Sequence, residues 1–331
     1  MHSKILAFTL FAFLFASCEK AQELFRDAAD KDDGSQRFPE PGGEVRDDLS
    51  ALVQRTDDGV TFRRDLDYPT DINGSIRIES KLKDMRTVII TALGREDETI
   101  NEKTSTEIDF SKSSGKFSLT TKRLGRPLVE QKKEDGTSIK IKPHEKENQT
   151  LKFIVQSDQW AIRKNNQETD LALYMWADSL VPAMQEILTH CGAYPRNTWF
   201  SSSRTWKPGD ELTLTGHSVK LLNPFKATGR VTLRYGGEKA IDGHPCGVFT
   251  VRGEISVKEQ IDFEGQKHDA EIAISKGKIW ASLLHPILLR EEYDTVQSIS
   301  SGQHGGTQIH RQGNIHLTIQ REWKPTSKKK E

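Results

Sequence analysis

The feature that most constrains this chain is an apolar–polar alternation of period two that returns along most of its length. Ile76, Ile78 and Leu82 alternate with Arg77, Glu79, Lys81 and Lys83, and Phe117 and Leu119 with Lys116, Ser118 and Thr120. Ile139 and Ile141 alternate with Lys140 and Lys142, and the pattern resumes in Val231, Leu233 and Tyr235 and in Ile315, Leu317 and Ile319. Successive side chains of a strand point to opposite faces, so each of these runs gives one dry face and one wet face. Parallel sheets are covered on both faces and read as continuous apolar runs, so the alternation selects antiparallel pairing. Gly94, Gly115, Gly125, Gly136, Gly236 and Gly253 punctuate the runs as expected turns or bends.

One segment departs from this rhythm. Thr169 is placed to cap a helix carrying Leu171, Leu173, Tyr174, Met175, Trp176, Leu180 and Val181, then Met184, Ile187 and Leu188, with Gly192 at its end. Pro182 lies inside it and must kink or split it, because proline removes a backbone donor and clashes with the preceding turn. The expected fold is therefore mainly β with a minor helical element: large curved antiparallel sheet packed on one kinked helix. Residues 59–165 form a first β region, 166–192 the helix and 193–325 a second β region, with a charged tail at 326–331. The two strand regions make either two domains or one sheet wrapped around the helix. In architecture such a sheet resembles the half-barrel carriers of envelope lipoproteins and lipids.

The N-terminus indicates export. Lys4 precedes an apolar run, Ile5 to Ala16, broken only by Thr9. About twelve residues are too few to cross a bilayer as a helix, which needs roughly twenty. A short apolar run behind a basic residue reads as a secretory signal, residues 1–17. The run ends in Phe15-Ala16-Ser17-Cys18, which resembles the bacterial lipobox, with Phe15 where that family prefers Leu. The resemblance implies acylation of Cys18 and cleavage before it; ordinary secretory cleavage close by is the alternative. Glu19 stands where Asp often signals inner-membrane retention, so the resemblance implies a lipid anchor in the outer membrane, facing the periplasm or the exterior. Residues 18–58, with Asp30-Lys31-Asp32-Asp33-Gly34 and then Pro39, Pro41, Gly42 and Gly43, read as a flexible tether, with a short helix allowed over Asp47 to Arg55.

Charge and cysteine usage agree with this reading. The chain's 48 Lys and Arg balance 48 Asp and Glu, which gives no electrostatic attraction for nucleic acid or an acidic membrane surface. With Cys18 lipidated, Cys191 and Cys246 remain, an even pair in an oxidising compartment. A bridge between them would close a loop of about 55 residues, worth roughly 4 kcal/mol in the chain-entropy model. Two separate buried thiols are the alternative, since sequence does not show the two backbones approaching.

Reactive motifs are sparse. The chain has no Gly-x-Ser-x-Gly elbow, no Gly-Lys-Ser/Thr phosphate loop, no dinucleotide fingerprint and no Cys-x-x-Cys pair, so no cofactor is implied. His304, His310 and His316 recur every six residues, about 20 Å along a strand, so they share a metal only if Gly305, Gly306 or Gly313 turns the chain. Solvated histidines on a strand face are the expected reading. Asp65, Asp67 and Asp71 stand beside Arg63 and Arg64 and read as a salt-bridged surface. Trp206-Lys207-Pro208-Gly209-Asp210 reads as a turn launching a strand through Leu212 and Leu214. Trp280, Leu283, Leu284, Ile287 and Leu288 concentrate apolar area as either a buried strand or a face for an apolar ligand. The sequence therefore favours a noncatalytic binding or carrier module, lipid-anchored at the membrane, with protein partners unspecified. A structural envelope component, or a hydrolase with a dispersed active site, remains the alternative.

Overall fold

The computed structural model describes residues 41–63, 72–113, 116–124, 128–133, 136, 138–141, 151–156, 159–164, 167–169, 204–216, 219, 227–261, 267–285, 287–301 and 307–325. Cys18, Cys191, His304, the cluster Asp65, Asp67 and Asp71, and the expected helix from residue 170 onward lie outside the described residues.

The chain is mainly β. Its first described elements are a one-turn helix, α1 (Asp47–Ser50), and two short strands, β1 (Gln54–Thr56) and β2 (Gly59–Thr61). Two long strands follow, β3 (Ile72–Thr91) and β4 (Gly94–Ser113). Six shorter ones come next: β5 (Lys116–Leu124), β6 (Leu128–Lys133), β7 (Ser138–Ile141), β8 (Leu151–Gln156), β9 (Gln159–Lys164) and β10 (Gln167–Thr169). After β11 (Thr205–Trp206) and β12 (Glu211–Thr215), long strands return as β13 (Ala227–Ile241), β14 (His244–Ile261), β15 (Lys267–Ser282), β16 (Leu288–Ser301) and β17 (Gln308–Pro325). Thr169, expected to cap a helix, ends β10, where it pairs with Ile162; the residues that follow it lie outside those described. Among the described residues α1 is the only helix.

Fourteen of these strands form one antiparallel sheet in the order β10-β9-β8-β5-β4-β3-β17-β16-β15-β14-β13-β12. β4 pairs with β5 along its second half and with β6 along its first, and β7 pairs with β6. The earlier and later strand groups are joined where β17 runs antiparallel to β3, from Gln308 opposite Ile90 to Pro325 opposite Ile72.

Strands this long hold their register through bulges, which bend the strand and add twist. In β3 the pairing with β4 passes from Leu82–Glu102 to Met85–Ile100, leaving one extra residue on β3. Asp84 sits there at φ 52, and its N–H donates to Asn101 Oδ1 at 2.8 Å. Gly313, a candidate turn in the sequence, lies inside β17 opposite this bulge, where a Cβ would stand 2.6 Å from Met85 Cα. Gly253 likewise lies within β14 rather than at a turn; its φ is +151 and a Cβ would clash with the Arg230 carbonyl. The Lys207-Pro208-Gly209-Asp210 turn forms as expected: Gly209 takes φ +98, Asp210 N–H donates to Lys207 O, and β12 begins immediately after it.

The alternation sorts the two faces. Ile76, Ile78, Leu82, Val231, Leu233, Tyr235, Ile315, Leu317 and Ile319 are buried, while Lys81 and Lys83 are exposed. We call this dry side the inward face. At its β13–β14 end it is closed by the small sheet β1-β2-β11. Phe62 and Trp206 bring their rings to within 5.0–6.4 Å of Tyr235 and Phe249, several of them edge-on. Gly247 leaves room for Phe62, whose ring a Cβ would strike. Residues 41–58, the end of the expected tether, also lie against this body. Pro41 bridges to Ile241, Gly42 N–H donates to Ala240 O, and Arg55 pairs with Glu238 at 2.6 Å.

Candidate functional site

Residues directly opposite one another in a sheet share a face, so the register defines rows that cross it. One row on the inward face crosses seven strands: Ala227, Val257, Ala270, Ile299, Arg311, Thr87 and Glu98, from β13 to β4. At about 4.8 Å per strand it is roughly 29 Å long. Its β13–β16 half is apolar and buried, and its β17–β4 half carries Arg311, Thr87 and Glu98. The next row repeats the division with a shifted border: Ile255 and Ile272 lead to Gln297 on β16 and Gly313 on β17. Beyond it, Thr295, Ile315, Leu82 and Glu102 share the third.

The polar half is deeply enclosed. Thr87, Gln297, Ser80 and Glu102 are 0%, 3%, 4% and 5% exposed, beside the apolar cluster Leu82, Met85, Ile100 and Ile315. Ser80 Oγ, Thr87 Oγ1, Glu102 Oε2 and Gln297 Oε1 have no hydrogen-bond partner among the described residues. Buried polar atoms are nearly always satisfied, by protein, water or ligand, so each of these four calls for a partner beyond the described residues. Burial pushes the Glu102 carboxyl up to about 7, and the Arg311 charge only partly offsets this.

A second buried ionic group on the same face is paired internally, with Arg321 Nε left without a hydrogen-bond partner among the described residues. Arg321 pairs with Glu291 at 2.6 Å, with side chains 6% and 0% exposed. The Tyr293 hydroxyl donates to Glu291 Oε2 at 2.9 Å, and Arg321 Nη1 donates to the Leu288 carbonyl at 3.2 Å. This triad holds β16 to β17 beneath the aromatic closure.

Of the apolar residues singled out in the sequence, Trp280 and Ile287 lie on the other side of the sheet. Trp280, Leu283, Leu284, Ile287 and Leu288 are all buried. Ile279 sits opposite Phe249 on the inward face, so Trp280, the next residue along β15, points to the other side. There it packs with Ile241, Cys246, Val248, Ile287 and Leu289 in a second small core. Cys246 is a free thiol enclosed in this cluster, with its Sγ on the His244 carbonyl at 3.5 Å; Cys191 lies outside the described residues.

Beside that cluster the fold assembles a serine and two histidines that no local motif announces. His244 Nε2 lies 2.7 Å from Ser282 Oγ, and the His244 and His285 rings are 6.2 Å apart. Ser282 Oγ already accepts the N–H groups of Leu284 and His285, so its own proton goes to His244. A hydroxyl held in this way by its own turn, and buried, is a structural lock for the 282–287 bend rather than an accessible nucleophile. Burial, with the neighbouring His285 and Arg46, pushes His244 down to about 4, so it is neutral at pH 7.

His310 and His316 do not face each other across a hairpin. Both are exposed on the wet face of the one continuous strand β17, and His316 Nδ1 meets Asp294 Oδ1 at 2.6 Å. Among the described residues no three His, Cys, Asp or Glu side chains are grouped to hold a metal ion.

No family model matches the chain, and no curated protein matches it. Solved structures align over most of it at low similarity. A lipovitellin structure, described for its lipid–protein interactions, is 7% identical over 80% of this chain with a TM-score of 0.34; the chain spans about a quarter of the lipovitellin chain, 26%. A domain from Vibrio parahaemolyticus, provisionally assigned to outer membrane lipoprotein sorting, is 8% identical, covering 78% of this chain and 87% of that domain, with a TM-score of 0.13. A botulinum neurotoxin serotype C1 binding domain is 9% identical over 78% of this chain and 84% of its own length, with a TM-score of 0.10.

Proposed function

We propose that this chain is a lipid-anchored protein of the bacterial cell envelope, held at the outer membrane through acylated Cys18, and that its body is a noncatalytic carrier of an amphipathic ligand. The anchor rests on the Phe15-Ala16-Ser17-Cys18 pattern behind a short apolar run. The carrier reading rests on one observation: the inward face passes from the apolar Ala227, Val257, Ala270 and Ile299 to a buried polar half with unmet hydrogen-bonding groups. An interior built only for stability gains nothing from orphaned polar atoms, which cost about 1–3 kcal/mol each when nothing satisfies them. An acyl chain on the apolar half would contribute about 0.8 kcal/mol for each CH₂ buried. The ligand face thereby moves from the Trp280 region to the rows between β13 and β4.

Two experiments test the two halves. Cys18→Ala should release the protein from membranes into the soluble fraction, and full retention of the variant would refute the anchor. A fluorescent fatty acid titrated into the purified protein should bind saturably. Absence of saturable binding favours a structural envelope component over a carrier.

A further inference from the structure

We propose that Ser80, Thr87, Glu102 and Gln297 form a head-group subsite selective for a hydroxyl-bearing, uncharged polar group at the end of an apolar chain. This rests on the carrier reading and specifies the chemistry of its ligand. The four side chains come from three strands, Ser80 and Thr87 from β3, Glu102 from β4 and Gln297 from β16, and the register puts them all on the inward face. Their rows are about 7 Å apart along the strands, so the patch measures roughly 14 Å by 20 Å, the scale of a small polyol head rather than a single atom. Directly beside it on the same rows lie Ile272, Ile299 and Ala270, a dry floor for the chain.

The unmet atoms define the complement. Glu102 Oε2, when ionised, and Gln297 Oε1 can only accept hydrogen bonds; the Ser80 and Thr87 hydroxyls can both donate and accept. A hydroxyl group, which also does both, meets all four. A carboxylate or phosphate cannot donate, and on these rows it would face Glu98 and Glu102 with Arg311 as the cation between them. An ammonium can donate but not accept, leaves the two hydroxyl protons without an acceptor, and must shed its hydration beside Arg311. A hydroxyl-bearing head group offers these atoms bonds of the kind that water makes.

The test compares three probes of equal chain length, a 1-monoacylglycerol, the free fatty acid and the primary alkylamine, by displacement of a fluorescent fatty acid from the full chain at pH 8. The monoacylglycerol is expected to bind at least tenfold more tightly than either of the others. Thr87→Val and Gln297→Leu should each weaken monoacylglycerol binding roughly three- to tenfold, the worth of one net hydrogen bond, and narrow its preference over the fatty acid. Thr87→Ser, which keeps the hydroxyl, should retain the preference. Equal affinity for the three probes, tighter binding of the acid or the amine, or a preference unmoved by both variants would overturn the subsite while leaving a carrier. No binding of any probe would remove the carrier reading and the subsite together. Far-UV circular dichroism shows whether a variant has folded, and the wild-type ranking decides the matter if one has not.

Discussion

Glu102 gives the sharpest quantitative handle on the inward face. Its carboxyl is buried and pushed up to about 7 from an ordinary value of 4.5, with desolvation outweighing the attraction of Arg311. Between pH 4.5 and 7 the folded chain therefore holds a proton that the unfolded chain releases. By linkage, stability from this group is complete below about pH 4.5 and is lost as pH rises through 7. The shift of about 2.5 units corresponds to about 3 kcal/mol. Glu102→Gln keeps the size and the hydrogen-bonding character of the protonated acid but cannot ionise. The stability difference between variant and wild type should thus move by about 3 kcal/mol in the variant's favour from pH 4.5 to pH 8, whatever its value at pH 4.5. Every other titrating group, His244 included, is common to both proteins and cancels. Urea unfolding followed by tryptophan fluorescence at the two pH values measures it, and in a chain of this length the change is worth roughly 4 °C in Tm. Parallel pH dependence of the two proteins would refute the reasoning, since it would mean that the Glu102 carboxyl is solvated and the polar half open to bulk water.

Three further outcomes follow from the same geometry. His244, pushed down to about 4, binds fewer protons folded than unfolded, so stability is complete above about pH 6.5 and falls by about 3 kcal/mol as pH drops to 4; His244→Gln should abolish that part of the acid-side decline in urea titrations. Arg321→Met strands the fully buried Glu291 and should cost about 3–5 kcal/mol of unfolding free energy, much of it recovered by adding Glu291→Gln, as a double-mutant cycle would show. The Cys246 thiol, enclosed by Ile241, Val248 and Trp280 and with its pKa raised by burial, should be inert to a thiol reagent in the native protein and react as a free thiol once denatured, which a colorimetric assay with and without guanidinium checks.

Much of the sheet was legible because period-two alternation reports burial directly. Val231, Leu233 and Tyr235, and Ile315, Leu317 and Ile319, point where the pattern put them. The phase was visible only within a run. In β3 the buried positions are even up to Leu82 and odd from Met85, because the bulge at Asp84 inserts a residue, and no residue type announces it. That slip conceals Thr87. Arg311 and Arg321 were readable: both are in phase with Ile315, Leu317 and Ile319, and a charged residue in the dry phase of a strand is the signal for a buried polar group. Glu102 and Gln297 become neighbours of the same patch only through pairings between β4, β3, β17 and β16, which join the two ends of the chain. The contact of His244 with Ser282, 38 residues apart, is hidden for the same reason. The Trp280 stretch is apolar in the sequence and buried in the fold, but its side of the sheet depends on which of two consecutive residues opposes Phe249, which periodicity alone does not tell.

The central claim, a lipid-anchored carrier, is tested most directly by native mass spectrometry of the full chain extracted from envelope membranes in mild detergent. The account predicts a mature protein beginning at an acylated Cys18 and carrying, in near-stoichiometric amount, a releasable amphipathic molecule with a hydroxyl-bearing head. A protein with unmodified Cys18 and no bound molecule, even after extraction under the gentlest conditions, would contradict it.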